Sequence, residues 1–293
     1  MRLLILTLLL RLFAKPNLTR AATPAAARAQ FKLGAQVFRA PPFMLHLPGN
    51  SALPLDQISV GVVREDAVIL YFHGGAYLAG SPATHAAMLG RISKLTGLRV
   101  IAPKYRLAPE HPAPAAFEDG QRAFQMLLEQ GYQPDQIILG GDSAGGGLAL
   151  ALLADLCGRN LPPAALFAFS PWTDLAMTGE TLRSHAKADP LLPVGRIKEA
   201  LGFIMGDFDP KDPRISPLYG SFPGAPPVLI QVGSTEILYD DSHRMAVHLR
   251  SFGGDVTLSE WANTPHVWQV FDGYIPQARA ALREVAGFVH RVA

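Results

Sequence analysis

The chain has 293 residues and a single cysteine, Cys157, which excludes an internal disulfide and any cysteine-rich metal site. Charge is scarce: 17% of residues are charged and the formal net charge is +2. No run of like charge exceeds a pair, so the electrostatic footprint of a nucleic-acid binder is missing. No HExxH stretch, internal repeat or charge block occurs, and no cofactor or metal is expected. Long hydrophobic runs are also lacking. The apolar start "MRLLILTLLLRLFAKPNL" runs from Leu3 to Leu10 before Arg11 and Lys15 interrupt it. That is far short of the roughly 20 residues that span a bilayer, so stable membrane insertion is not expected. Three readings of this segment stay open: a helix packed on the protein's own body, a helix lying on a membrane surface, and a signal cleaved among Ala21 to Ala27.

Apolar residues supply 49% of the chain, enough in a protein of this length to bury roughly three quarters of the surface of the unfolded form. From about Ile58 onward, β-branched runs alternate with stretches of helical period, the pattern of a parallel sheet. The strand candidates are "ISVGVV", "VILYFH", "RVIAP", "IILGG", "AALFAFS", "PVLIQVG" and "VTLSEW", with "AQVFRA" a weaker one at the start. Several lack polar alternation, as strands covered on both faces do. Helices are expected at Ala83 to Thr96, Ala115 to Gln130, Ala144 to Cys157, Asp240 to Phe252 and Pro276 to Val292, and in the alanine-rich "AATPAAARAQ". The stretch Pro171 to Pro226, with a helix in "VGRIKEALGFIMG", is too long for a simple crossover and reads as a lid inserted in the domain.

One serine stands out. In "ILGGDSAGGGLAL", Ser143 lies where a strand must turn sharply into a helix. Gly141 and Gly145, two residues to either side, leave room for that turn. The Ala144 amide and the helix dipole then lie beside the hydroxyl, where an oxyanion is stabilised. A second glycine cluster, "YFHGGAYLAGS", follows the strand "VILYFH" and offers the Gly74 and Gly75 amides to the same oxyanion, with His73 bracing the loop. Of nine histidines, His243, His248 and His290 sit in helical patterns. His266, in "WANTPHVWQVF", falls on the loop between the last strand and the last helix, at the sheet's carboxyl edge. Glu236, in "QVGSTEILYDDS", occupies the preceding loop of that edge, giving the chain order serine, acid, histidine. Asp240 and Asp241 directly precede a helical pattern, and capping it is their simplest role.

The stretches "HGGA", "YRLAPEHPAPAAFED", "GDSAGG", "SPWTDL", "ISPLYG" and "PHVWQVF" together resemble the bacterial hormone-sensitive-lipase-like family of α/β-hydrolases, from about Val68 to the end. The resemblance implies an α/β-hydrolase fold: a mostly parallel sheet of about eight strands flanked by helices. The core would comprise residues 41–170 and 227–293, with a helical cap made from 1–40 and 171–226. It further implies a carboxylesterase acting on short to medium acyl esters, with Ser143 as nucleophile, His266 as base, and Gly74, Gly75 and Ala144 as oxyanion donors. Where the family often has aspartate in a "DPLxD"-like stretch, this chain has Glu236 followed by Ile237, Leu238, Tyr239 and Asp240. Ala76 replaces the third glycine of the HGG loop. Tyr77, Phe203 and Trp268 are candidate pocket residues. Tyr105, Arg106, Glu110, His111 and Asp119 are expected to be architectural, since the "PEHPAPA" run fixes backbone shape without chemistry. The expected partner is a small-molecule ester, not nucleic acid, with a homodimer left open and a cytoplasmic location expected. Two other functions stay open: a membrane-peripheral lipase reaching lipid through the apolar N-terminus, and a non-catalytic ligand-binding protein on a hydrolase scaffold, against which the presence of both Ser143 and His266 argues.

Overall fold

A computed structural model describes residues 1–21 and 23–293. The N-terminal helical segment consists of α1 (Arg2–Leu9), a π-helical stretch Leu10–Ala14 and α2 (Lys15–Arg20). Helix α3 (Pro24–Ala35) starts on Thr23, whose side chain accepts from the Ala26 amide at 3.2 Å, an N-cap of the usual kind. The weak strand candidate "AQVFRA" is corrected here: Ala35 ends α3 and the following residues form a turn. The first strand is instead β1 (Met44–Leu47), where the period-two pattern of "MLHL" faces its neighbour β2 (Leu55–Val60) antiparallel.

The rest of the chain alternates strand and helix: β3 (Arg64–Phe72), α4 (Pro82–Thr96), β4 (Leu98–Pro103), α5 (Ala115–Glu129), β5 (Ile137–Asp142), α6 (Ala144–Gly158) and β6 (Ala165–Phe169). Then come α7 (Thr181–Ser184) and α8 (Val194–Ile204) of the long excursion, followed by β7 (Val228–Gly233), α9 (Tyr239–Ser251), β8 (Val256–Trp261) and α10 (Pro276–Val292). The sheet has eight strands in the order β1-β2-β4-β3-β5-β6-β7-β8. β2 pairs antiparallel with β4, and the strands from β4 through β8 pair parallel. The carboxyl ends of β3, β5, β6, β7 and β8 therefore share one edge.

Successive strand residues point to opposite faces, and both faces are covered. On β3, Val68, Leu70 and Phe72 join the core shared with α5, α6 and α9, whereas Ala67, Ile69 and Tyr71 join the core shared with α4 and α10. Helix α6 is apolar all round and buried almost throughout, as a helix enclosed on every side must be. Helix α10 is amphipathic, burying Ala278, Ala281, Leu282, Val285 and Val289. Helix α4 is fixed at both ends. Ser81 and Thr84 bond reciprocally as a capping box, and Gly97 closes the helix at φ +70°.

A very tight approach in the core lies between α6 and the end of β3. A Cβ placed on Gly145 would lie 2.1 Å from the Phe72 carbonyl oxygen and 2.4 Å from that of His73. Gly145→Ala should therefore destabilise the protein by about 3 kcal/mol, the cost of overpacking against backbone. Gly158→Ala, at the open end of the same helix where a Cβ meets nothing within 4 Å, should instead stabilise by about 0.5 kcal/mol. Denaturant midpoints moving in opposite directions would bear this out, and equal midpoints would refute it.

Candidate active site

Ser143 sits at the turn from β5 into α6 with φ +53° and ψ −122°, a backbone state strained for any residue other than glycine. Its amide donates to the Phe169 carbonyl at 2.8 Å, and Trp172 donates back to the Ser143 carbonyl at 2.9 Å. The elbow is thus clamped by the end of β6. The loop after β3 runs beside it so closely that a Cβ on Gly74 would lie 2.2 Å from Asp142 Oδ2. Among the described residues, neither the Gly74 nor the Gly75 amide donates to a loop or turn carbonyl, and Ala144 is the first residue of α6. All three predicted oxyanion donors thus belong to the same two adjoining turns. Ala76 and Tyr77 both adopt positive φ, +53° and +56°, so the loop keeps a glycine-like path despite the alanine.

Beneath this loop lies a polar cluster of which sequence reasoning identified only His73 and Tyr105. The Asp142 carboxylate accepts from the Tyr71 hydroxyl at 2.9 Å and faces His85 Nε2 at 3.4 Å. Burial opposes charge on both partners, but the attraction between them prevails: His85 is raised and Asp142 lowered from their ordinary values. His73, beside them, is pushed down to about 3 by burial and by the neighbouring His85. It is therefore neutral and can brace the Gly74 carbonyl through Nδ1 at 2.9 Å. The Tyr105 hydroxyl holds the His73 carbonyl at 2.6 Å.

Glu236 and His266, the expected acid and base, meet at the same edge. His266 Nδ1 lies 2.7 Å from Glu236 Oε2, both side chains buried. Glu236 Oε1 accepts from the Ser170 hydroxyl at 2.7 Å and the Gly233 amide at 2.6 Å. Ser170 Oγ also accepts from the Val267 amide at 3.2 Å, so one hydroxyl joins the acid loop to the base loop. Because Ser170 directly follows the carbonyl that holds Ser143, all three loops converge there. Asp189, on the excursion after β6, is fully buried and accepts from the Ile237, Leu191 and Leu192 amides at 2.8 to 3.0 Å. Ser170 and Asp189 are missing from the sequence reading. Ser170 lies in "SPWTDL", one of the stretches that carried the resemblance.

Burial works against charge on His266, but the hydrogen bond and charge of Glu236, with help from Asp189 and Asp142, outweigh it and leave the imidazole above its ordinary range. Asp240 and Asp241 lie in the first turn of α9, where their charge suits the helix dipole as expected, but neither side chain caps it. Asp241 is buried and accepts from the Thr173 and Asp174 amides at 2.8 and 3.0 Å, and Asp240 accepts from Glu180 at 3.1 Å. Both hold the start of the excursion instead of capping α9. The "YRLAPEHPAPAAFED" stretch is tied by Arg106 to Asp119 and by Arg28, reaching over from α3, to Glu110.

An apolar recess is lined by Tyr77, Phe117, Leu148, Ile204 and Ile215. Tyr77 is thus one of its walls. Phe203 is not: it points partly to solvent, and its neighbour Ile204 faces the recess, one residue being about 100° of helix rotation. Trp268 is also corrected. It is fully buried among Ile275, Ala278 and Ala281 and against Trp261, so it packs the core under α10. Among the described residues, no cluster of three His, Cys, Asp or Glu side chains is placed to hold a metal ion.

A serine raised on a strand-to-helix elbow, in a parallel sheet whose later loops bring a carboxylate-bound histidine to the same edge, defines the α/β class of serine hydrolases. Comparison with known proteins agrees. The family described as "alpha/beta hydrolase fold" matches residues 69–270. The chain is 40% identical over 256 residues to an acetyl-hydrolase of Streptomyces hygroscopicus, covering 84% of this chain and 85% of that one. It is 36% identical over 252 residues to an esterase of Acinetobacter venetianus, covering 82% and 83%. A solved esterase of the bacterial hormone-sensitive lipase family superposes with a TM-score of 0.92 at 36% identity, covering 99% of this chain and 98% of the other. The chain belongs to this family of α/β-hydrolases, in its bacterial hormone-sensitive-lipase-like branch, and is a serine carboxylic ester hydrolase.

Because a base must be neutral to accept a proton, kcat/KM should rise with pH through the His266 pKa. The raised value places that limb above about pH 6.5, the ordinary histidine midpoint. Glu236→Gln removes the hydrogen-bonded charge while burial remains. It should lower kcat by about ten-thousandfold and move the residual limb to lower pH. An unshifted limb with near-normal turnover would assign the acid elsewhere.

Proposed function

We propose that Ser143, His266 and Glu236 act together as nucleophile, base and acid in hydrolysing short to medium acyl esters. The observation that carries this reading is the 2.7 Å bond between His266 Nδ1 and Glu236 Oε2 at the edge where Ser143 is raised. With Nδ1 engaged, Nε2 takes the Ser143 proton as the hydroxyl attacks the ester carbonyl. The oxyanion is received by the Gly74, Gly75 and Ala144 amides, and the imidazolium returns its proton to the leaving alcohol. Water, activated by the same imidazole, then releases the acid from the acyl-serine. No metal or cofactor enters any step.

In this reading residues 1–40 and 171–226 form one cap over a core of 41–170 and 227–293. The two parts are bonded to each other: Arg11 donates to the Ala188 carbonyl at 2.9 Å, and Lys15 to those of Ala186 and Asp189 at 3.0 and 2.6 Å. The cap contributes Ile204 and Ile215 to the recess, which suits a modest acyl group, and the Streptomyces relative is named for acetyl removal. A cytoplasmic location accords with the free buried thiol of Cys157.

Ser143→Ala should fold and lose up to about a millionfold in kcat on a p-nitrophenyl ester; survival of near wild-type turnover in pure mutant would sink the assignment. An organophosphonate should label Ser143 and no other serine, as read by peptide mass. In a panel of esters differing only in acyl length, Ile204→Ala should shift the preference toward longer chains, because it deepens the recess. An unchanged profile would remove the acyl group from that recess.

A further inference from the structure

The N-terminal helical segment has two apolar faces, and only one is used. Leu3 and Leu6 pack toward Trp268, Ala278 and Ala281, and Leu10 is buried. Leu4, Ile5, Leu8, Leu9, Leu12 and Phe13 turn the other way, each between 48% and 73% exposed. From Arg2 to Arg20 the segment is roughly 28 Å long at 1.5 Å per residue, and its outward row of large apolar side chains, from Leu4 to Phe13, runs along about half of it. Single exposed hydrophobics are ordinary on a protein surface, but a contiguous patch marks an interaction site.

Charge identifies the occupant. Before Asp56 the chain contains no acidic residue, while Arg2, Arg11, Lys15, Arg20, Arg28, Lys32 and Arg39 are all basic. Among the described residues, only Arg28 of these seven forms an ion pair, with Glu110. Arg11 and Lys15 donate to backbone carbonyls of the protein itself, whereas Arg2, Arg20, Lys32 and Arg39 are exposed. A helix with large apolar side chains outward and basic residues along it, and no acid to repel phosphate, matches an anionic lipid surface. No helix among the described residues is long and apolar enough to cross a membrane, so the segment would lie in the interface. We propose that this face docks the protein on anionic lipid bilayers, with the apolar row in the acyl boundary and Arg2 and Arg20, at the two ends of the segment, among the headgroups.

Docking does not depend on the ester-hydrolase reading, and the two can fail separately. The experiment is co-sedimentation of the full chain with phosphatidylcholine vesicles, with and without phosphatidylglycerol, alongside the double variant Leu8→Ser/Leu12→Ser. Wild type should pellet with the anionic vesicles, be released by salt, and stay in solution with phosphatidylcholine alone. The variant should bind roughly a hundredfold more weakly, the loss expected for two leucines that no longer enter an apolar phase. Its hydrolysis of p-nitrophenyl acetate in solution should equal that of wild type, which certifies its fold. Wild type remaining in the supernatant with anionic vesicles would overturn the proposal, as would equal pelleting on both vesicle types. A wild-type dimer by light scattering that the variant splits, without vesicle binding, would assign the face to a second copy of the chain and equally overturn it.

Discussion

The closeness of two backbones governs this molecule. The loop after β3 and the first turn of α6 lie so near each other that Gly74 and Gly145 have no room for a side-chain carbon, the obstacles being the Asp142 carboxylate and the Phe72 and His73 carbonyls. That contact sets the loop of Gly74 beside the elbow of Ser143, whose φ is strained. Strain of this kind persists only when surrounding contacts over-determine it. Here the Phe169 carbonyl, the Trp172 amide and the buried body of α6 do so.

A second layer of organisation is electrostatic. Asp142, Asp189 and Glu236 are all buried within one edge of the sheet, an arrangement that is costly unless each carboxylate is bonded. Each is bonded by a different kind of donor. Asp142 has a tyrosine and a histidine, Glu236 a serine, an amide and His266, and Asp189 three backbone amides. Their combined field raises the His266 imidazole. The loop after β3 and the loop that carries His266 thus share a support although they lie on opposite sides of β5.

Much of the fold was legible because its signals are local. The β-branched runs and the helix bounded by Pro276 and Val292 announce themselves, and the glycines around Ser143 mark an elbow through the steric demands of a short turn. β1 escaped because a four-residue edge strand carries little pattern beyond two alternations. Asp241 reads as a helix cap from its position, yet the Thr173 and Asp174 amides reach it from a segment 67 or 68 residues away, and such donors leave no trace in local sequence. Phe203 and Ile204 show the same limit on a smaller scale, since the apolar pattern of α8 does not fix which of two adjacent residues faces the recess. Trp268, a candidate pocket residue by its type, is instead carried into the core by the left-handed turn at Val267.

The bonds from Arg11 and Lys15 to the carbonyls of residues 186 to 189 span 171 to 177 positions of sequence. During synthesis the first helix leaves the ribosome long before its acceptors exist. At the usual elongation rate of about 5 to 20 residues per second, that interval lasts on the order of ten to forty seconds. Helix formation takes microseconds or less. The segment therefore spends its early life as a basic, apolar, undocked stretch of nascent chain that must wait for its acceptors.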